Sequence, residues 1–404
     1  MAQDAAFQSN RTIALSMAIG TGGLAFFAII PIVMGSLVSA GRIDAAQLGW
    51  AATGSTLFSA AGMMLGLKVL KRSGDRWIVV AAGLVMALGN LAAWFMPNFS
   101  LIFWACSIAG VSQGVLVAVV ALSIGYAPNP ARLSGIFLAV SVPPPLLLAY
   151  FLPTSLMPYF GNGAGFTSVA LVGVICAVCA FFIRDDFAKE TTEVVERIRW
   201  SPWTVAALAG VLLGTAGFGA AWTYVDLLGV SLGLTPQTIG LAVSAAIMGQ
   251  FIISALVAAI GWRLPMLKTL LAVSALQVII ALMLQKSGSP LFFTLLLTAF
   301  GSLWQGSTPF ATGLLAALDE SRRLAPLTLP LQLVGLALGP LVASSVASTN
   351  IVYVLLVAAG FYGLTLLTYM VVLCDRAYSD TATLKSVDVD PAGPFEPFVA
   401  HLHE

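Results

Sequence analysis

Away from the span ends, only one charged residue falls inside the long apolar stretches of this 404-residue chain, and that residue is Asp226. A charge carried into lipid costs at least roughly 2.5–3.5 kcal/mol, so such a residue is by default a functional candidate. Out of water a carboxyl favours its neutral form, and the chemistry it could offer is reversible protonation. Trp222 lies four residues earlier, on the same helical face. Counting about 1.5 Å per residue from Trp203 places Asp226 in the outer part of its span. A purely structural role is open to it there, by pairing with Arg42 or Lys286 or by bonding a neighbouring helix.

The remaining candidates are uncharged. Ser112, Gln113, Gln250, Ser302, Gln305, Thr308 and Gln332 could hydrogen-bond a solute or a neighbouring helix. Trp222, Tyr224 and Trp304 could stack on a ring or face a cation, or simply pack. No Lys or Arg stands in mid-span, so a phosphate or dianion would meet no countercharge. A neutral, aromatic or weakly cationic organic solute fits better, and a monocarboxylate could bind through hydroxyls and helix ends. Cys176-x-x-Cys179 has redox spacing, but both residues lie in an apolar segment, where cysteine behaves as a small hydrophobe. The only histidines, His401 and His403, are in the tail, so no metal site and no cofactor is expected in the core. Paired carboxylates and Ser–Lys arrangements are also missing there, which argues against an enzyme. No phosphate-binding loop of the form G-x-x-x-x-G-K-[ST] occurs, so a gradient or the solute itself must supply energy.

The elements that hold these residues follow from composition. Hydrophobic residues make up 59% of the chain and charged residues 9%, against roughly 25% charge in a soluble domain. With net charge +1 and no large basic cluster, nucleic acid is not an expected partner. Arg76 and Arg132 bracket 55 uncharged residues, and a comparable run separates Arg132 from Arg184. A spanning helix needs about 20 apolar residues, so each run holds two. Apolar runs and their punctuation predict twelve spans, at 12–40, 46–67, 77–96, 99–126, 133–157, 166–183, 203–232, 236–261, 266–285, 290–317, 324–347 and 351–374. The runs are too long and continuous for the alternating strands of a barrel. The apolar run after the short polar N-terminus reads as the first span, not as a cleaved leader.

Loop charge orients the bundle. With the N-terminus inside, sixteen of the 18 Lys and Arg fall on inner segments, and Arg42 and Lys286 alone lie outside. Both termini are therefore expected in the cytoplasm, in a bacterial-type inner membrane. Residues 1–183 form a first six-helix bundle, 184–202 a charged cytoplasmic linker, 203–374 a second bundle, and 375–404 a polar tail expected to be disordered.

The two halves echo each other. Gly20-Thr21-x-Gly23 matches Gly214-Thr215-x-Gly217 at an offset of 194, and Ser112-Gln113-Gly114 matches Trp304-Gln305-Gly306 at 192. Such repeats commonly frame a midplane site between two rocking halves. The loop after the second span reads Gly66-Leu67-Lys68-Val69-Leu70-Lys71-Arg72-Ser73-Gly74-Asp75-Arg76. Across nearly the whole chain the sequence resembles the major facilitator superfamily. Arg72, Gly74 and Arg76 fit that family's cytoplasmic gate motif, whereas Lys71 stands where its acid usually lies. The fourth span keeps the Gln113-Gly114 of an Arg-x-x-Gln-Gly pattern, but Gly110 replaces the arginine. The fifth has Pro143-Pro144-Pro145 instead of the drug-antiporter signature, and Gly335-x-x-x-Gly339-Pro340 in the eleventh reads as close helix packing.

The resemblance implies an all-α polytopic membrane protein of twelve helices, built as two bundles related by a pseudo-two-fold axis. In that fold the first, fourth, seventh and tenth helices line a central cavity, which would place Gln113, Gln305, Ser112 and Trp304 near a bound solute. The expectation is a secondary transporter, monomeric, alternating its access and coupled to protons through Asp226. The alternatives are an uncoupled facilitator or efflux protein, for which Gly110 argues, and a transporter-like receptor or assembly factor.

Overall fold

The computed structural model describes residues 10–73, 75–125, 127, 130–183, 200–318, 324 and 327–374. The expected linker, apart from 200–202, and the expected tail lie outside them. No strand occurs among the described residues.

Among the described residues, fifteen α-helices make twelve spans. The first half contains α1 (Asn10–Ser39), α2 (Ala45–Ser73), α3 (Arg76–Phe95), α4 (Phe99–Gly125), a broken fifth span and α8 (Ala164–Phe181). The fifth span is α5 (Pro130–Ser141), α6 (Pro143–Phe151), a π turn at Leu152–Leu156 and α7 (Met157–Phe160). Its interruptions follow from Pro143, Pro144, Pro145 and Pro153, which lack the N–H that continues a helix. In the second half, α9 (Pro202–Thr223) and α10 (Val225–Ser231) form the seventh span. They are followed by α11 (Pro236–Ile260), α12 (Met266–Leu284), α13 (Pro290–Leu318), α14 (Thr328–Ala347) and α15 (Tyr353–Leu373).

Ten of the spans are long and apolar enough to cross a bilayer by composition alone; α2 and α13 fall short. These two carry runs such as Thr53-Gly54-Ser55-Thr56 and Gly301-Ser302 through Thr308. They turn them inward, α2 against α4 and α14, and α13 against α11, α12 and α9. Polar and small groups are thereby kept from lipid. The outer surface is Leu, Ile, Val, Phe and Met, exposed in number as in no water-soluble protein.

The halves repeat each other's packing. In the first, α2 packs on α4, α3 on α8 and α1 on α4; in the second, α11 packs on α13, α12 on α15 and α9 on α13. The Gln-Gly repeat takes equivalent places and the Gly-Thr-x-Gly repeat does not: Gly23 of α1 lies against α4, whereas Gly217 of α9 lies against Tyr362 of α15. Gly114 packs on α2, and Gly306 on α11. Gly41 and Gly233 close the turns after the first and seventh spans with φ of 66° and 76°, and they lie the same 192 residues apart as Gln113 and Gln305. A side chain with a β-carbon would be strained at both turns.

The two halves meet unevenly. We call the end of the bundle where α1 finishes the Ser39 end. One continuous apolar core joins both halves there, through Met34 and Leu48 of the first and Tyr224, Leu228 and Ile239 of the second. Toward the Asn10 end that core continues in the first half alone, through Leu70, Val79, Leu122 and Ile183, with Met17, Val120 and Phe137 as a small cluster beside it, and the second half has a separate core of Val211, Leu270, Phe310, Leu314 and Tyr369.

Candidate functional site

The seam at the Ser39 end is built from small residues and side chain-to-backbone bonds. Thr53 Oγ1 of α2 donates to the Ala337 carbonyl of α14 at 2.9 Å. Trp222 Nε1 of α9 donates to the Phe27 carbonyl of α1 at 3.3 Å. Gln237 of α11 reaches the Pro153 carbonyl, and Ser244 the Leu146 carbonyl, both at 3.4 Å. Gly240 lies against Pro153 and the Ala149 carbonyl, which lost its helical donor to Pro153. Gly49 is the tightest point. A β-carbon there would stand 2.1 Å from the Tyr224 hydroxyl and 2.7 Å from the Pro340 carbonyl. Every one of these contacts lies between mid-bundle and the Ser39 end.

Asp226 belongs to this seam. It sits in the first turn of α10, half-buried, where a carboxylate is favoured by the helix N-terminus. A β-carbon on Gly35 of α1 would lie 2.2 Å from its Oδ2. The pairing with Arg42 considered from sequence does not occur. The Arg42 guanidinium instead donates to the Met96 carbonyl and lies 5.2 Å over the Trp94 ring. Among the described residues nothing donates to the Asp226 carboxylate.

A cavity of about 30 Å³ lies inside the second half, among α9, α12, α13, α14 and α15. Gln277, Trp304, Thr308, Gln332 and Tyr362 are on its wall. Gln332 Nε2 donates to Thr308 Oγ1 at 3.1 Å. Trp304 is stacked on Phe218, with centroids 3.9 Å apart and planes within 5°. Phe218 also stacks on Trp222 and on Phe300, and Phe300 meets Tyr362 edge-on. This aromatic spine runs from the cavity to the seam.

The candidates taken from sequence therefore divide. Trp304 and Gln332 come together at the cavity. Trp222, Tyr224 and Asp226 come together at the seam, where Trp222 and Tyr224 are buried. Gln113 is fully buried inside the first half, with neither amide atom bonded. Ser112 donates to the Ile108 carbonyl of its own helix. Gln250 packs against Gly301 between α11 and α13. Gln305 is half-buried beside Trp304 but is not on the cavity wall. Of the gate motif, Gly74 lies outside the described residues. Arg72 is exposed at the end of α2. Arg76 lies 5.6 Å over the Phe181 ring and reaches the Phe181 carbonyl at 3.5 Å, tying α3 to the end of α8. Asp75 caps α3 by accepting from the Trp77 N–H at 2.8 Å. The Cys176 thiol faces the Ile19 carbonyl at 3.8 Å, as a packing residue does. Gln277, Tyr362 and Gly49 were not singled out from sequence; the lone amide in the apolar run of α12 was the one available signal.

The model of the Major Facilitator Superfamily matches residues 12–323. The chain is a member of the major facilitator superfamily. As such it is a membrane transporter and not an enzyme. Two solved structures share the fold. One is a bacterial homolog of the human lysosomal transporter Spinster, in an inward-facing and unoccupied conformation. It is 13% identical, with a TM-score of 0.67 over 89% of this chain and 97% of that one. The other is a mutant of the nucleoside transporter NupG, 12% identical, with a TM-score of 0.65 over 90% of this chain and 100% of that one. No curated protein matches the sequence.

Proposed function

We propose that this superfamily member is a secondary transporter of a small organic solute, neutral, aromatic or weakly charged, working by alternating access in a cytoplasmic membrane. One observation carries the reading: the halves share a core at the Ser39 end only, and the cores toward the Asn10 end are separate. A pair of bundles joined at one end can rock about that joint. With both termini in the cytoplasm, as the loop charges indicate, the Ser39 end faces outside and the form described is open inward. The protein works as a monomer in this reading, because the cavity and the seam are both complete within one chain.

Protons enter through Asp226. Ionised, its carboxylate draws water into a seam that closes on Gly35; neutral, it packs. Acid therefore favours the closed outer seam, and alkali its opening. A proton taken up from outside would bias the protein toward the inward-open form, the direction a proton-driven importer needs.

The experiment is counterflow and uptake in proteoliposomes, with labelled neutral, aromatic and cationic solutes, with and without an imposed proton gradient. Gradient-driven accumulation of one class, lost in Asp226→Asn, is the expected result. Equilibration without accumulation, unaltered by Asp226→Asn, makes the protein an uncoupled facilitator. Binding with no flux under any gradient leaves the receptor-like reading in its place.

A further inference from the structure

Gln277 and Tyr362 lie on α12 and α15, away from the central helices that the fold's cavity would use, yet both face the cavity of the second half. Gln277 is 0% exposed and Tyr362 3%. Gln277 Nε2 donates to the Phe300 carbonyl at 2.9 Å. That bond fixes the amide and leaves Oε1 with no partner, and the Tyr362 hydroxyl has none either. Buried polar atoms are nearly always paired, so two orphans on one cavity wall point to something that fills it.

The walls define what that is. Among the described residues no charged side chain lines the cavity, so an ion would enter without compensation. Oε1 accepts, the Tyr362 hydroxyl donates or accepts, and the Thr308–Gln332 pair adds more of both. The water-accessible space, about 30 Å³, admits roughly one or two groups the size of water. A whole solute does not fit, but its end does. Trp304, pressed flat on Phe218, gives a rigid aromatic surface beside that end.

We propose that this pocket holds the uncharged, hydroxyl- or amide-bearing end of the transported solute, with Gln277 and Tyr362 as its deep hydrogen-bonding partners. This rests on the transport reading and specifies its substrate class. The cavity lies within the second bundle alone, with half-buried Trp304 and Thr308 on its wall. Rocking can therefore carry the gripped end with one rigid body.

The test uses the full chain in lipid nanodiscs. Glycerol, uridine and phenyl β-D-glucoside serve as uncharged probes, phenyl phosphate and tryptamine as charged ones, and the readout is the thermal unfolding midpoint across a titration. At least one uncharged probe is expected to raise the midpoint, and the charged probes to leave it unchanged. Tyr362→Phe and Gln277→Leu should each weaken that probe by about tenfold or more. Tyr362→Phe removes an unpartnered hydroxyl, so without probe it should unfold no earlier than wild type; this keeps the test sound if Gln277→Leu folds poorly. The proposal is overturned if both variants bind the probe as wild type does, if only charged probes bind, or if no uncharged probe binds at millimolar concentration. Flux with unaltered affinity in both variants removes this pocket and leaves the transport reading standing. Binding lost in both variants, with no flux in wild-type proteoliposomes, does the reverse.

Discussion

Asp226 and Gly49 carry most of what the seam at the Ser39 end can do at the level of single residues. Asp226→Asn keeps the shape of the carboxyl and removes its charge. Uptake should then lose most of its pH dependence while the closed seam, lined by Gly35, persists. Rate against pH in proteoliposomes reads this directly, and a variant that titrates like wild type would make Asp226 structural. Gly49→Ala acts by volume. Its new methyl group would meet the Tyr224 hydroxyl and the Pro340 carbonyl well inside contact distance. The closed seam should lose about 1–3 kcal/mol and shift toward outward opening, seen as faster labelling of a cysteine placed at Phe27 by an impermeant thiol reagent. Asp226 was legible as a candidate because charge in an apolar run is rare. Gln113 was equally visible, yet it is buried within the first half. Residue type alone does not say which side of a helix faces a solute.

Among the elements, α14 shows how close packing is encoded. Gly335 and Gly339 bring α14 against α9 until a β-carbon on Gly339 would lie 2.1 Å from the Ala216 carbonyl. The small-xxx-small spacing predicted that contact. Gly339→Ala should force the helices apart and cost about 3 kcal/mol. Gly360 of α15 has open space around it, so Gly360→Ala should be neutral or stabilising by about 0.5–1 kcal/mol. The pair is compared by thermal unfolding in one detergent. Equal effects would mean that glycine's backbone freedom, not helix approach, governs stability here. The breaks in the fifth span were visible as prolines. That α6 and the π turn lean on α11 was not, because the contact depends on carbonyls exposed by those breaks.

For the whole molecule, the asymmetry between the two ends is the property that matters. Thr53→Cys with Ala337→Cys, in a Cys374→Ser background, should be joined by oxidation, since the native Thr53 side chain already reaches the Ala337 carbonyl. The joined protein should stop transporting yet still bind solute from the Asn10 side. Reduction should restore flux. Continued transport by the joined protein would show that this seam need not open.

The sequence by itself determined the membrane, the spans, the repeat and the family. Each of those follows from a sum over many residues: apolar length, loop charge, a recurring glycine spacing. Even the two spans that fall short on hydropathy, α2 and α13, were legible from what flanked them. Only the tertiary structure decided which end is shut, that Arg42 leaves Asp226 unpaired, and that Gln277 and Tyr362 share a cavity. The physical reason is that helices such as α4 and α9 are apolar almost all round. Lipid and protein interior are equally apolar, so no moment marks the face that meets a partner. That face is chosen when twelve helices pack, by where glycine allows approach and where polar atoms find each other.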